Sequence, residues 1–311
     1  MMKIMNDNKP LPSEPCGVLI VDKPCGMTSH DVVNKLRKLY NTKQVGHTGT
    51  LDPMASGLMA VLVGRAVKAS EYVTEHDKSY IAGLKLGITT DTEDISGCVL
   101  SSSDTLPAEK QVYEALSRFR GDIMQIPPMY SALKRGGEKL CDLARKGITV
   151  EREARPVKIF SLEAETVSQE NGDYTLRVSC SRGTYIRTLC ADIGKTLGGG
   201  GVMSSLRRVN VGDFDIAQAH TIDEISGMTD TERYSLLIDT EMLFSELPIV
   251  KLPEFFANLA LSGNEIYLRK IGIDMPVGAL VRMYDKAFFS LGQVREFPDG
   301  NAIKPVKKFR I

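Results

Sequence analysis

One acid, Asp52, stands inside Gly46-His47-Thr48-Gly49-Thr50-Leu51-Asp52-Pro53-Met54-Ala55-Ser56-Gly57, a stretch dense in glycine, small hydroxyl residues and proline. Glycines open backbone geometries closed to other residues, and Pro53 sets its own φ while restricting Asp52 before it. The segment is therefore a shaped loop, and it separates two ordered elements. Before it, Val32, Val33, Leu36, Leu39 and Tyr40 share one helical face behind Ser29, which predicts a helix with Ser29 as its N-cap. After it, Leu58-Met59-Ala60-Val61-Leu62-Val63 is an unbroken apolar run between two glycines, the pattern of a strand buried on both faces. An isolated Asp-Pro is commonly a turn whose carboxylate caps backbone amides. A carboxylate aimed by backbone shape between ordered elements suits a reacting group instead.

The remaining elements follow from the same periodicities. Gly17 to Pro24 reads as a buried strand ending in a turn, and Lys78 to Gly87 as a strand with Tyr80, Ala82, Leu84 and Leu86 on one face. A helix from about Pro107 to Gly121 carries Val112, Leu116 and Phe119, with Pro107 in its first turn. Gln125-Ile126-Pro127-Pro128-Met129-Tyr130-Ser131-Ala132-Leu133-Lys134-Arg135-Gly136-Gly137 has the composition of a mobile binding arm, followed by a short helix from Glu138 to Lys146. Tyr174 to Cys180 alternates as a strand, and Ile186, Leu189, Cys190, Ile193 and Leu197 mark a helix ended by the glycines at 198–201. From residue 246 short strands broken by Gly and Pro predict a small all-β barrel or sandwich.

With 42 % hydrophobic and 25 % charged residues in 311, the chain reads as a globular protein of one large domain and one small one. No apolar run is long enough for a membrane helix and the start is polar, so a cytoplasmic protein is expected. Six scattered cysteines without a Cys-x-x-Cys pair indicate neither a zinc site nor a disulfide framework. The formal net charge is zero, but charge is segregated. Residues 176–210 hold six basic residues (Arg177, Arg182, Arg187, Lys195, Arg207, Arg208) against Asp192, and residues 211–245 hold eight acids against Arg233. The first stretch is a candidate polyanion-binding face and the second reads as an acidic linker; on charge alone, two solvated surfaces explain both equally well.

Several strings together resemble the bacterial TruB family, the tRNA pseudouridine synthases that act on the T arm. They are Asp22-Lys23-Pro24-Cys25-Gly26-Met27-Thr28-Ser29, the Asp52 loop, Tyr80 with Leu86-Gly87 and Thr90-Asp91-Thr92, the Pro127 to Lys134 arm, Arg182-Gly183-Thr184-Tyr185-Ile186-Arg187, and Leu206-Arg207-Arg208, spanning roughly residues 16–215. The resemblance implies isomerisation of one uridine of tRNA, at the position conventionally numbered 55, to pseudouridine, with no cofactor, metal or energy source. Asp52 would be the catalytic carboxylate; attack at ribose C1′ and elimination toward a glycal both fit the motif. A uridine in a folded arm must first be extruded, at a cost on the order of a few kcal/mol. Tyr80 would stack on the flipped uracil and transfer a proton, and Arg187 would pair with Asp52. His47 would fill the opened T loop and Leu206 would pack on the base. Lys23, which is more suited to the wall of the site than to reacting, Tyr185, Lys134, Arg135, Arg207 and Arg208 complete the set of residues expected to bind RNA.

The fold so implied is α+β: a mixed, mainly antiparallel β-sheet catalytic core with flanking helices, the pseudouridine synthase fold, plus a small C-terminal β-rich PUA-like domain. Residues 1–12 read as a flexible tail, 13–245 as the catalytic domain with an RNA-binding arm at about 124–152, and 246–311 as the PUA-like RNA-binding domain. The expected partner is tRNA, through its T arm and acceptor end, with no membrane, no obligate protein partner and a monomeric chain. Other readings are a guide-dependent ribosomal-RNA pseudouridine synthase of the same superfamily and a non-catalytic tRNA-folding chaperone. A glycoside hydrolase would need a second well-placed acid, and none stands out in these motifs.

Overall fold

The computed structural model describes residues 14–73 and 76–309. The expected tail at 1–12 lies outside the described residues. A ten-stranded sheet forms the larger unit, and its main path runs His220–Thr221, Gly17–Lys23, Ser56–Val63, Gly201–Val211, Lys78–Leu86, Asp173–Cys180, Arg155–Ser168, Gly121–Gln125. Ser56–Val63 is buried along nearly its whole length, as its unbroken apolar run requires, and Lys78–Leu86 alternates with Tyr80, Ala82, Leu84 and Leu86 inward. Most neighbours are antiparallel; the pairings of Gly17–Lys23 with His220–Thr221 and of Gly201–Val211 with Ser56–Val63 are parallel. The sheet is thus mixed and mainly antiparallel, as expected.

Gly201–Val211 is the strand that assembles the site. Its register places Arg208 opposite Gly57 on one side and opposite Tyr80 on the other. At Gly57, φ is +104° and a Cβ would sit 2.2 Å from Arg208 O, so only glycine lets these strands approach.

Three local readings are corrected. The first helix is Ser29–Leu39, but its N-cap is Thr28, whose Oγ1 accepts from Asp31 N while Asp31 Oδ2 accepts from Thr28 N. Pro107 precedes the N-cap Ala108 of the Glu109–Ser117 helix rather than lying in its first turn. Residues 211–245 are no linker: His220–Thr221 joins the sheet, and Ile222, Ile225, Leu243 and Phe244 enter the core. Three of its eight acids serve local helix ends. Asp215, Glu224 and Glu232 close capping boxes on three short helices, where a carboxylate satisfies free backbone amides and favours the helix dipole.

The C-terminal unit is a five-stranded sheet, ordered Ile249–Lys251, Leu280–Tyr284, Phe288–Phe297, Gly300–Lys308, Ile266–Tyr267. It is β-rich but not all-β, because Glu254–Leu261 is a helix that buries Ala257 and Ala260. The basic C-terminal end is largely the last strand, where Lys304 pairs with Glu265 and Lys307 with Glu71 of the larger unit. Leu291 and Phe309 share one apolar cluster with Val18, Leu58, Leu62 and Phe244, so the two sheets meet through a packed core. No helix among the described residues is long and apolar enough to cross a membrane.

Candidate active site

The Asp52 loop is held at every few residues. Ser29 Oγ donates to Leu51 O at 3.0 Å and accepts from Leu51 N at 2.9 Å, which fixes the residue before Asp52. Gly26 N donates to Pro53 O, Cys25 Sγ to Met54 O, and Ala55 N to Asp52 O. Lys23 is fully buried and its ammonium donates to the carbonyls of Pro24, Met27 and Pro53. It is a strut of the wall, out of reach of RNA, which corrects its place among the RNA-binding residues. Burial holds its pKa below the usual lysine value.

Arg187 reaches this loop from the first turn of the Ile186–Thr196 helix, with Nε 2.9 Å from Asp52 Oδ2. Its other nitrogens are also engaged: Nη1 donates to Thr92 O at 3.0 Å and Nη2 to Tyr130 O at 2.7 Å, with Asp94 Oδ2 3.8 Å from Nη1. With each of its three nitrogens engaged, the guanidinium is held against the carboxylate. Asp94 was missed in the sequence, although it lies two residues beyond the Thr90-Asp91-Thr92 string. Ser29 was singled out there, but for capping.

Tyr80 lies within the field of Asp52 and shares an apolar cluster with Met54 of the loop and Leu206 of the central strand. Burial pushes its phenol above the usual tyrosine pKa, and the nearby Arg208 guanidinium opposes that rise. Arg208 is 2 % exposed, with Nε donating to Leu58 O and Nη2 to Gly49 O. It therefore holds the floor of the site and is no phosphate contact, a second correction. Arg207, on the opposite face of the strand, grips Asp22 with both Nη atoms, at 3.1 and 2.6 Å. With Arg187 and Arg208 buried and Arg207 paired, residues 176–210 do not form one exposed basic face.

His47 is half-buried, its Nδ1 has no hydrogen-bond partner, and burial with Arg208 nearby holds its pKa below the usual imidazole value. Tyr185 is the N-cap of the Arg187 helix, half-buried, within the field of Asp52. Lys134 and Arg135 lie apart from this cluster, exposed on a two-strand hairpin whose turn residues Gly136 and Gly137 both take positive φ. Among the described residues no group of three or more His, Cys, Asp or Glu is placed to hold a metal. The six cysteines are free.

The arrangement offers a carboxylate held by a buried cation, an aromatic floor beside it and apolar walls. Such a site can hold a flat ring against a phenol while an acid acts on the group attached to it.

Residues 37–186 match the family model of the TruB family pseudouridylate synthase N-terminal domain, and residues 187–243 that of the tRNA pseudouridylate synthase B C-terminal domain. The two matches meet inside the helix that carries Arg187. The chain is 44 % identical over 281 residues to tRNA pseudouridine synthase B of Burkholderia mallei, covering 90 % of this chain and 92 % of that one. It is 47 % identical over 250 residues to the protein of that name from Azoarcus sp., covering 80 % and 83 %. Among solved structures, a Cbf5-Nop10-Gar1 complex aligns with a TM-score of 0.67 at 25 % identity, over 94 % of this chain and 84 % of that one. An archaeal box H/ACA sRNP Nop10-Cbf5 complex aligns with a TM-score of 0.68 at 23 % identity, covering 97 % and 89 %, a likeness of fold.

Proposed function

The chain belongs to the TruB family of pseudouridylate synthases, and on that premise we propose that it isomerises one uridine of the tRNA T arm, position 55, to pseudouridine. The observation that carries this reading is the Arg187 Nε–Asp52 Oδ2 contact at 2.9 Å beside the Tyr80, Met54 and Leu206 cluster.

The extruded uridine stacks on Tyr80 with Leu206 and Met54 against its other edges, which returns the unstacking energy through apolar contact. Asp52 acts at the ribose as the bond between N1 and C1′ breaks. The freed uracil turns in the walled pocket and C5 joins C1′. C5 then loses its proton and N1 gains one, so the product is an isomer and no co-reactant is consumed. Tyr80, a neutral phenol, exchanges that proton. Apolar side chains packed around the bound base keep water from the cleaved intermediate. The chemistry calls on no cofactor or metal.

The arm at 124–152 closes over the RNA with Lys134 and Arg135 on phosphates, and Arg207 and His47 border the opened loop. The C-terminal sheet, 246–311, acts as a PUA-like module on the acceptor end. The chain works in the cytoplasm as a monomer without an obligate protein partner. Purified protein mixed with unmodified tRNA alone, followed by mapping of the product, tests this. Conversion at one T-arm uridine is expected; a requirement for guide RNA and partner proteins would overturn it in favour of a guided enzyme, and tRNA binding without conversion in favour of a chaperone.

A further inference from the structure

Gln125 is a buried polar residue that the chemistry above leaves without a role. It ends the Gly121–Gln125 strand, is 2 % exposed, and closes its carboxamide on a single residue. Oε1 accepts from Tyr185 N at 2.8 Å and Nε2 donates to Tyr185 O at 3.0 Å. Two bonds to one residue fix both its distance and its rotation, where a single bond would leave a swivel. Tyr185 is the N-cap of the helix Ile186–Thr196 and makes no side-chain cap of its own, so this carboxamide is what anchors the helix start. Arg187 stands two residues further on.

The chain also leaves Gln125 in the other direction. Through Ile126, Pro127 and Pro128 it reaches Tyr130, whose carbonyl accepts from Arg187 Nη2. Two prolines make that connection stiff. The root of the arm therefore holds the catalytic arginine from two sides, by the helix N-cap and by the guanidinium.

We propose that Gln125 is a positioning residue for the isomerisation: by locking Tyr185 it sets the angle at which Arg187 presents the Asp52 carboxylate. The proposal rests on the reading of Asp52 as the catalytic carboxylate. Its test is the single-turnover rate and the tRNA Kd of Gln125→Leu, in the parent and in an Arg187→Lys background.

A rate lowered roughly tenfold, with Kd within about twofold, is expected in the parent, since small misplacements of a catalytic group cost rate before binding. In the Arg187→Lys background the same substitution should cost little more, because its effect passes through Arg187. An unchanged rate, a loss lying wholly in Kd, or an equal loss in both backgrounds would overturn the proposal. If Gln125→Leu does not melt cooperatively, Gln125→Glu serves in the same cycle, because it keeps the acceptor for Tyr185 N and loses the donor to Tyr185 O. A parent protein that converts no tRNA would instead overturn the reading of the site itself.

Discussion

Arg187 is buried while the Asp52 carboxylate it grips is open: their side chains are 7 % and 36 % exposed across a contact of 2.9 Å. The cation thus works from behind, as a fixed seat, and leaves the second carboxylate oxygen to the substrate. Lysine can supply the charge but not the fork that also engages Thr92 O and Tyr130 O. Arg187→Lys is expected to lower the single-turnover rate by about 10²-fold, with tRNA binding, measured by filter retention, nearly unchanged.

Gly57 is where the loop meets the central strand. Gly57→Ala places a Cβ 2.2 Å from Arg208 O at a φ of +104°, and should destabilise the fold by at least about 2 kcal/mol. Urea denaturation measures this. Gly49→Ala is the control, since its Cβ would meet Arg208 Nη1 only at 3.4 Å, and it should stay close to the parent.

Phe244 packs against Tyr72, Phe288 and Phe309, with ring centroids 6.2, 6.1 and 5.8 Å away, so one ring bridges the two sheets. Phe244→Ala should cost about 3–5 kcal/mol. Calorimetry of the parent should show one cooperative transition, with the variant shifted to lower temperature; two separate parent transitions would contradict a shared core.

The lowered pKa of His47 gives a stability term with a definite sign. The unfolded chain takes up this proton near pH 6.5, and the folded chain only at lower pH. The contribution is full above about pH 6.5 and is lost as pH falls through the folded value. In His47→Gln that titration is gone. The Tm difference, parent minus variant, should therefore shrink between about pH 8 and pH 5.

The parts of the site legible in the sequence were those with local signatures: the Asp52 loop through its glycines and proline, and Tyr80 and Arg187 through their motif strings, strand alternation giving only that Tyr80 faces inward. What escaped depends on partners distant in the chain. Ser29 has the profile of an N-cap, and only the folded approach of Leu51 turns its hydroxyl into a clamp. Gln125 carries no pattern, because its role is defined by Tyr185 across the sheet. Arg208 shows charge, which favours a surface reading, while the register of Gly201–Val211 buries it. The acids of 211–245 suggested a linker because capping is invisible to charge counting. The helix Glu254–Leu261 was hidden by an apolar run too short to show a period.

The central claim is that Asp52 performs the chemistry, and Asp52→Asn tests it most directly because the amide keeps the shape and removes the carboxylate. Incubated with unmodified tRNA and followed by release of tritium from C5 of uridine, the variant should bind tRNA and melt like the parent while forming no pseudouridine. Turnover at the parent's rate in a folded Asp52→Asn protein would contradict the account.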